Sequence, residues 1–206
     1  RAVCPAIVAH DGLATNLALP FERITMQDAF ARWCGGIDIL GTEGDAARLH
    51  AAAARIGAAP RTNESWEDLF FRLLLERVEP RLGRERATFL THWPAPQAAL
   101  ARRDPTDPRG ALRFELFVAG MELANAFDEL TDAAEQRARF VHDVAERRRL
   151  YGAEGWEVDE DFLAALEHGM PAGSGIALGF DRLAMLASGA RRISDVLWLP
   201  TAGLTA

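Results

Sequence analysis

The sequence predicts an α+β fold in which helices pack on an antiparallel sheet. Segments with the two-residue periodicity of strands are mixed with segments of helical periodicity, but without the regular strand-helix-strand units that build a parallel sheet. A hairpin within Arg113 to Asp132 supplies two neighbouring strands. With 206 residues, 49% of them hydrophobic, the chain can bury a core and is expected to form one domain or most of one.

Three helices are expected in the first half of the chain. Thr25 and Asp28 form a variant capping box that opens a short helix ending near Cys34. Residues 44–57 have helical character, and Ser65 is placed to cap a third helix. The apolar side of this third helix, which Pro80 should end, consists of Trp66, Leu69, Phe70, Leu73, Leu74 and Val78.

The middle of the chain predicts a strand, a loop and a hairpin. The strand is expected near Thr88 to Thr91, and the turn-rich loop RRDPTDPRG covers residues 102–110. In the following segment, Phe114, Leu116 and Val118 occupy one side of a strand, alternating with Glu115 and Phe117 on the other. A tight turn follows at Ala119–Gly120. This pattern predicts two antiparallel strands.

The remaining helices are marked by aspartates at their starts. Asp132, with Glu135 three residues later, is expected to cap a long helix that ends near Leu150. A connection through Gly155 leads to another helix over residues 159–168.

The segment GSGIALGFDRLAML, residues 173–186, combines a glycine-containing strand with the start of a helix. Gly175 and Gly179 lie four residues apart, and residues without a Cβ let a ligand touch the backbone. A helix beginning near Phe180 places Arg182 in its first turn, where the guanidinium can stack on a base or bind two phosphate oxygens. The pattern indicates a nucleotide site. The alternative is a strand packed on a helix through its glycines, with Arg182 in a surface ion pair.

The hairpin carries carboxylates that point to a divalent cation. Glu115 and Glu122 lie seven residues apart around a two-residue turn, so their carboxylates are expected to converge from adjacent strands. Magnesium with a polyphosphate takes one or two carboxylates together with substrate oxygens. Asn125 and Glu129 follow on the same segment. Any one of these side chains alone fits a solvated strand face, but four on a segment as apolar as FELFVAGMELANAF favour a site.

These segments resemble the second half of a class II lysyl-tRNA synthetase catalytic domain, and more closely the related stand-alone ligases that attach a lysine to elongation factor P. The strand pair FELFVAGMELANAFDEL and the strand GIALGFDR, which corresponds to class II motif 3, carry the resemblance. It continues through PFERITMQDAF, FLTHWPAPQAALA and ISDVLWLP. Nearly all of the chain from Pro20 onward is covered, and the implied fold is that of a class II catalytic domain.

The resemblance implies an ATP-dependent ligase that uses Mg²⁺ and activates a lysine-type acid as its adenylate. The roles that it implies are metal binding by Glu115 and Glu122, ATP binding by Glu122, Leu123, Gly179 and Arg182, substrate binding by Asn125, Glu129, Gly175 and Ala177, and catalysis by Glu122 and Arg182.

The ligase pattern implies that the acid is (R)-β-lysine and that the acceptor is a lysine side chain of elongation factor P. Ala177 favours this ligase, because the ligases usually have alanine where the synthetases have glycine. One methyl group in a pocket typically shifts discrimination by ~1–3 kcal/mol. Three alternatives remain open: a catalytic fragment of a lysyl-tRNA synthetase, a catalytically inactive ATP-binding remnant, and a structural partner of a synthetase.

Two features depart from the family pattern. Ala126 stands where relatives usually have glycine. No counterpart of motif 1, which builds the dimer interface, or of motif 2, which supplies an arginine to the α-phosphate, precedes Arg1. We therefore expect residues 1–206 to be a partial catalytic domain of a longer protein that is a homodimer, with an ATP site open on one side.

Composition limits the partners. All 23 basic residues are arginines, and the net charge is −7. Because a grip on phosphate backbones depends on clustered cations, an acidic chain does not suggest one, and tRNA is not an expected partner. The run Arg147 to Arg149 is expected to be a solvated helix face. Cys4 and Cys34 have neither metal nor disulfide spacing, and no apolar run approaches the length of about 18 residues that indicates a membrane span. These observations predict a cytoplasmic protein without membrane contact.

Overall fold

A computed structural model describes residues 7–152 and 157–199, so the expected connection at Gly155 lies outside the described residues. Its strands are β1 (Ile7–His10), β2 (Leu13–Asn16), β3 (Glu22–Thr25), β4 (Thr88–Pro94), β5 (Gly110–Val118), β6 (Met121–Asp128) and β7 (Ser174–Leu178). Strands β1 and β2 form a hairpin, and the other five form one sheet in chain order. Strands β4 to β7 are antiparallel as predicted, whereas β3 joins the edge parallel to β4.

The helices begin within two residues of the predicted positions, because their caps are local contacts. They are α1 (Met26–Trp33), α2 (Ala46–Arg55), α3 (Trp66–Leu73), α4 (Ala133–Tyr151), α5 (Glu160–Gly169) and α6 (Phe180–Ser188). The Thr25 hydroxyl accepts the Asp28 N–H at 3.0 Å, and the Asp132 carboxylate accepts that of Glu135 at 2.9 Å. Within the described residues, none of these helices is both long and apolar enough to cross a lipid bilayer.

The third helix continues beyond α3 in altered geometry. A capping box between Ser65 and Asp68 opens it as predicted, but Leu74–Val78 form a π-helical turn and Glu79–Arg81 a 3₁₀ turn. The prediction that Pro80 simply ends the helix was therefore incomplete. Turns of this π-helical kind occur frequently at functional sites, and Glu79 directly follows this one.

An aromatic core fixes one side of the sheet. Phe70 stacks on Trp66 and on Phe30, with ring centroids 5.0 and 5.5 Å apart, and its edge meets Trp93 of β4. Leu90, Trp93 and Phe117 belong to the same buried cluster, so that α1 and α3 are packed against β4 and β5. Aromatic pairs of this kind stabilise a core beyond the area that they bury. This packing makes β4 and β5 rigid, and β5 carries part of the candidate site.

The hairpin between β5 and β6 has the predicted turn but an unpredicted bulge. Ala119 and Gly120 both have positive φ, 52° and 74°, as a type I′ turn requires. Phe117 pairs with Glu122 beside the turn, and beyond a register shift Leu116 pairs with Ala124. Leu123 of β6 is thus an extra residue without a partner on β5, which is a β-bulge.

The bulge decides which side chains share a face. In an unbroken two-residue hairpin Glu115 would lie opposite Ala124, and Asn125 would point to the other face of the sheet. With Leu123 as the extra residue, Glu115 pairs with Asn125 and Arg113 pairs with Phe127. Residues on β6 after the bulge therefore join Glu115 on one face.

Short elements at the start of the chain were not predicted. Strands β1 and β2 have four residues each and turn at Asp11 and Gly12, both with positive φ. The hairpin is tied to the sheet by Thr15, whose hydroxyl donates to the Gly83 carbonyl at 2.7 Å and accepts the Ala119 N–H at 3.1 Å. These contacts join residues more than 60 positions apart, which no local sequence pattern records.

Candidate active site

One face of β5, β6 and β7 carries a row of polar side chains. Glu115 lies opposite Asn125, and Asn125 lies opposite Ala177 of β7. Glu122 pairs with Phe117, which lies two residues after Glu115 on β5 and therefore on the same face. The predicted placement of Glu115 and Glu122 on one face is confirmed.

Negative charge is concentrated on this face. Burial raises the pKa of Glu115 to about 7, against the opposing effect of the Arg113 guanidinium, and the charges of Glu122 and Glu79 raise it further. Burial and the charge of Glu122 also raise the pKa of Glu79. The charged forms of Glu115 and Glu79, which burial and neighbouring carboxylates disfavour, are stabilised by any cation that enters beside them.

The donor set fits magnesium bound together with a polyphosphate. Within residues 7–152 and 157–199, no group of three or more His, Cys, Asp or Glu is placed to hold a metal ion without other ligands. Magnesium on a triphosphate needs only one or two carboxylates, because phosphate oxygens and water complete its octahedron. Glu115 and Glu122 supply hard oxygen donors of this kind, so both fit a metal that arrives with the nucleotide.

Arg182 occupies the predicted position in the first turn of α6. Gly179 is the N-cap of this helix, and a Cβ on Gly179 would lie 3.3 Å from Cδ of Arg182. Nη1 of Arg182 donates to the Glu122 carbonyl at 2.6 Å and lies 3.2 Å from its Oε2.

Leu123 was also predicted to bind ATP, but its side chain is buried. Its backbone carbonyl accepts the Gly179 N–H at 2.9 Å. Its role in ATP binding stays a prediction.

The described residues form only one side of this part of the site. The side chains of Arg182 and Glu122 are 46% and 38% exposed, and with Glu79 they line a shallow cavity of about 360 Å³. In the part of the chain that the structure describes, this cavity is open to solvent as expected, and its role as a nucleotide site stays a prediction.

A larger cavity lies on the opposite face of the sheet. Its volume is about 460 Å³, and a row of paired residues across β4 to β7, Thr91, Phe114, Ala126 and Ile176, lines it. Apart from Gly175, none of the predicted site residues contributes to it. Arg113 and Asp128 also reach its lining, but Glu115, Glu122 and Asn125 lie on the polar face and do not contribute to it.

Glu129 and Gly175 lie in contact at the far end of the polar face. A Cβ on Gly175 would be only 2.7 Å from Oε1 of Glu129, so the carboxylate rests against bare backbone. The main chain of Glu129 is fixed by its N–H, which donates to the Gly173 carbonyl at 2.9 Å. Among the described residues, its carboxylate has no hydrogen-bond or ion-pair partner. A half-buried, unpaired carboxylate is suited to bind an ammonium group.

Gly175→Ala is expected to weaken substrate binding without unfolding the protein. The added methyl group must displace the Glu129 carboxylate, and a flexible side chain can move at little cost to stability. The Kd of the complete protein for the lysine-type acid that the resemblance implies should rise about 10-fold, which corresponds to one charged hydrogen bond. Gly173→Ala is the matched control, because its Cβ would meet no atom closer than 3.8 Å. Equal Kd values for the two variants by calorimetry would contradict the contact.

Two charged residues of this face were missed in the sequence. Arg113 lies two residues before Glu115 on β5, so strand alternation could have identified it. Glu79 reaches the cavity of Glu122 and Arg182 through the irregular turns after α3. No local sequence pattern predicts that these turns bring Glu79 to the cavity.

Comparisons with known proteins identify the family of the chain. The family model described as tRNA synthetases class II (D, K and N) matches residues 2–203. A protein of Proteus mirabilis named elongation factor P–(R)-β-lysine ligase is 46% identical over 179 residues, which cover 87% of this chain and 54% of the relative. Proteins of the same name from Edwardsiella ictaluri and Haemophilus influenzae are 46% and 44% identical over 178 residues each, covering 85% and 86% of this chain and 54% of each relative.

The chain thus spans about half the length of the curated relatives that it matches. The family match extends over almost every residue of the sequence, including strand β7 and the Arg182 that follows it. The chain belongs to the class II tRNA synthetase family of the D, K and N type.

Proposed function

We propose that the complete protein to which this chain belongs activates (R)-β-lysine with ATP and transfers it to a lysine side chain of elongation factor P. The observation that carries the proposal is the polar face on which Glu115, Glu122, Asn125 and Glu129 lie, with Arg182 at one end. The relatives that are 43–46% identical are named for this reaction. We propose further that this protein is a cytoplasmic homodimer that does not charge tRNA.

ATP and the amino acid would bind at opposite ends of the polar face. Glu122 and Arg182 would meet the triphosphate of ATP, with Gly179 allowing close approach, and Glu115 and Glu122 would hold Mg²⁺. When bound, that ion neutralises phosphate charge and polarises phosphate oxygens. The guanidinium of Arg182 is exposed enough to leave Glu122 and bind phosphate oxygens or stack on the base. Positioning and charge stabilisation would supply most of the catalysis.

Glu129 and Asn125 would orient the amino acid at the other end. With its side-chain ammonium on Glu129, the substrate directs its carboxylate toward the nucleotide. A carboxylate oxygen attacks the α-phosphorus, the bond to pyrophosphate breaks, and the aminoacyl adenylate forms. The neutral ε-amine of the acceptor lysine then attacks the adenylate carbonyl. An amide bond forms, AMP leaves as the C–O bond breaks, and the amine proton passes to solvent.

The test combines pyrophosphate exchange with acceptor modification. The complete protein with ATP and Mg²⁺ should exchange pyrophosphate in the presence of (R)-β-lysine, and mass spectrometry should find one added β-lysyl group on elongation factor P. Exchange with α-lysine together with charging of tRNA would instead identify a lysyl-tRNA synthetase. ATP binding without exchange would identify an inactive remnant.

Ala177→Gly is expected to raise activation of α-lysine relative to (R)-β-lysine by about 10-fold, the low end of what one methylene discriminates. Ala177 lies opposite Asn125 in the row of the proposed substrate site, where its methyl group should crowd the α-amino group. The measurement is exchange with each isomer. Ala126→Gly is the matched control, because Ala126 points to the opposite face. An unchanged ratio for Ala177→Gly would remove this residue from substrate selection.

A further inference from the structure

We infer that Arg113 is a positioning residue that fixes Glu115 and Asn125 relative to each other, and so couples the metal–phosphate end of the site to the amino-acid end. The inference rests on the proposed function, because it concerns the two ends of that site. Its basis is the set of contacts that the guanidinium makes.

Three nitrogens of Arg113 are used in three directions. Nη2 donates to Oε1 of Glu115 at 2.7 Å, and Nε lies 3.3 Å from Oδ1 of Asn125. Nη1 donates to the Gln97 carbonyl at 2.9 Å, which anchors the group to the chain before β5. A planar guanidinium can make these bonds together, whereas an ammonium is a point charge without a fixed fork. One side chain therefore connects Glu115 of β5 to Asn125 of β6.

Aromatic rings hold the guanidinium in place. Its central carbon lies 3.9 Å from the ring centroid of Trp93 and 5.7 Å from that of Phe127. Trp93 is fully buried in the aromatic core, and the Arg113 side chain is only 13% exposed. A group that is stacked, desolvated and bonded at three nitrogens has little freedom to move, so it transmits the rigidity of the core to both site residues.

The contact also sets the polarity of the Asn125 amide. A guanidinium has only donors, so the amide must turn its oxygen toward Arg113. Both protons on Nδ2 of Asn125 then remain available for an acceptor on the substrate. Without Arg113 the amide could rotate by half a turn and present its oxygen instead.

A purely structural role does not require this arrangement. Replacing a buried ion pair by apolar groups of similar volume is often neutral or stabilising, so the pair of Arg113 and Glu115 is weak evidence for a contribution to stability. Its placement between two proposed ligand-binding side chains is the feature that a structural pair would not need. Removing the guanidinium should therefore change ligand affinity more than folding.

The test compares Arg113→Lys and Arg113→Met in the complete protein, with Arg103→Met as the matched control. Arg103 is 48% exposed and bonds to Glu135 and to the Pro108 carbonyl rather than to Glu115 or Asn125. Calorimetry gives the Kd for a non-hydrolysable ATP analogue with Mg²⁺ and, separately, the Kd for (R)-β-lysine. Both Kd values should rise about 10- to 100-fold in Arg113→Lys, the usual cost of losing a group that orients ligand-binding side chains. Arg103→Met should leave both unchanged.

Each outcome decides the inference. Wild-type affinities in Arg113→Lys would overturn it, as would a lowered Tm with unchanged Kd values measured below the unfolding transition. Should Arg113→Met fail to fold, the charge-preserving Arg113→Lys carries the test alone. In an Asn125→Ala background, Arg113→Lys should change the Kd for (R)-β-lysine by less than about 3-fold, since residues that act through one another are not additive. Full additivity would contradict the coupling. A wild-type protein that binds neither ligand overturns the proposed function itself, which distinguishes the two failures.

Discussion

Glu122→Gln in the complete protein is expected to lower the rate of adenylate formation by about 10²-fold or more, because a group that stabilises developing charge commonly contributes that much. The substitution removes one negative charge and keeps the shape of the side chain. Arg182 also donates to the backbone carbonyl of Glu122 at 2.6 Å, a bond that glutamine retains. The start of α6 should therefore stay in place while the charge that attracts Mg²⁺ is lost.

The measurement is lysine-dependent pyrophosphate exchange over a range of Mg²⁺ concentrations. Glu160→Gln is the matched control, because Glu160 lies on α5 in an exposed ion pair with Arg137. The control should exchange at the wild-type rate, since exposed ion pairs contribute little. An exchange rate for Glu122→Gln equal to that of the control would exclude Glu122 from the catalytic machinery.

Glu129→Ala should impair activation of α-lysine and (R)-β-lysine by the same factor, about 10²-fold in kcat/KM. Both isomers carry the same side-chain ammonium, and leaving a partly buried charge without its partner costs ~3 kcal/mol. Because the carboxylate of Glu129 has no hydrogen-bond or ion-pair partner among the described residues, its removal should leave the free energy of unfolding nearly unchanged. The effect would therefore be a loss of recognition.

Exchange kinetics with both isomers test this expectation, and Asp128→Ala provides the control. Asp128 is the neighbouring residue, but it points to the opposite face of the sheet and pairs with Arg102. A loss confined to one isomer would show that Glu129 reads the position of the second amino group. In that case Glu129, and not Ala177, would discriminate between α-lysine and (R)-β-lysine.

Several elements could be predicted from the sequence because their signals are local. The caps at Thr25, Ser65 and Asp132 bond to residues three positions later, so a short window contains both partners. The same holds for the turn at Ala119–Gly120, where two adjacent residues adopt positive φ. The start of α6 after Gly179 placed Arg182 correctly for the same reason.

Other elements depend on distant partners and were not predictable. Strand β3 has four residues and exists because it pairs with β4, more than 60 positions later. The π-helical turn after α3 occurs in a segment whose apolar spacing is that of an ordinary helix. It leads to Glu79, which therefore appeared in no sequence pattern although it shares a cavity with Glu122.

The sequence by itself determined which residues are candidates for the site, because residue type and motif spacing are written along the chain. Only the tertiary structure decided how they meet. Strand side chains alternate between faces, so one extra residue reverses the face of every residue that follows. The bulge at Leu123 is such a residue, and it is defined only by pairing with β5. It brings Asn125 beside Glu115 and within reach of Arg113, whose guanidinium is fixed by packing on Trp93.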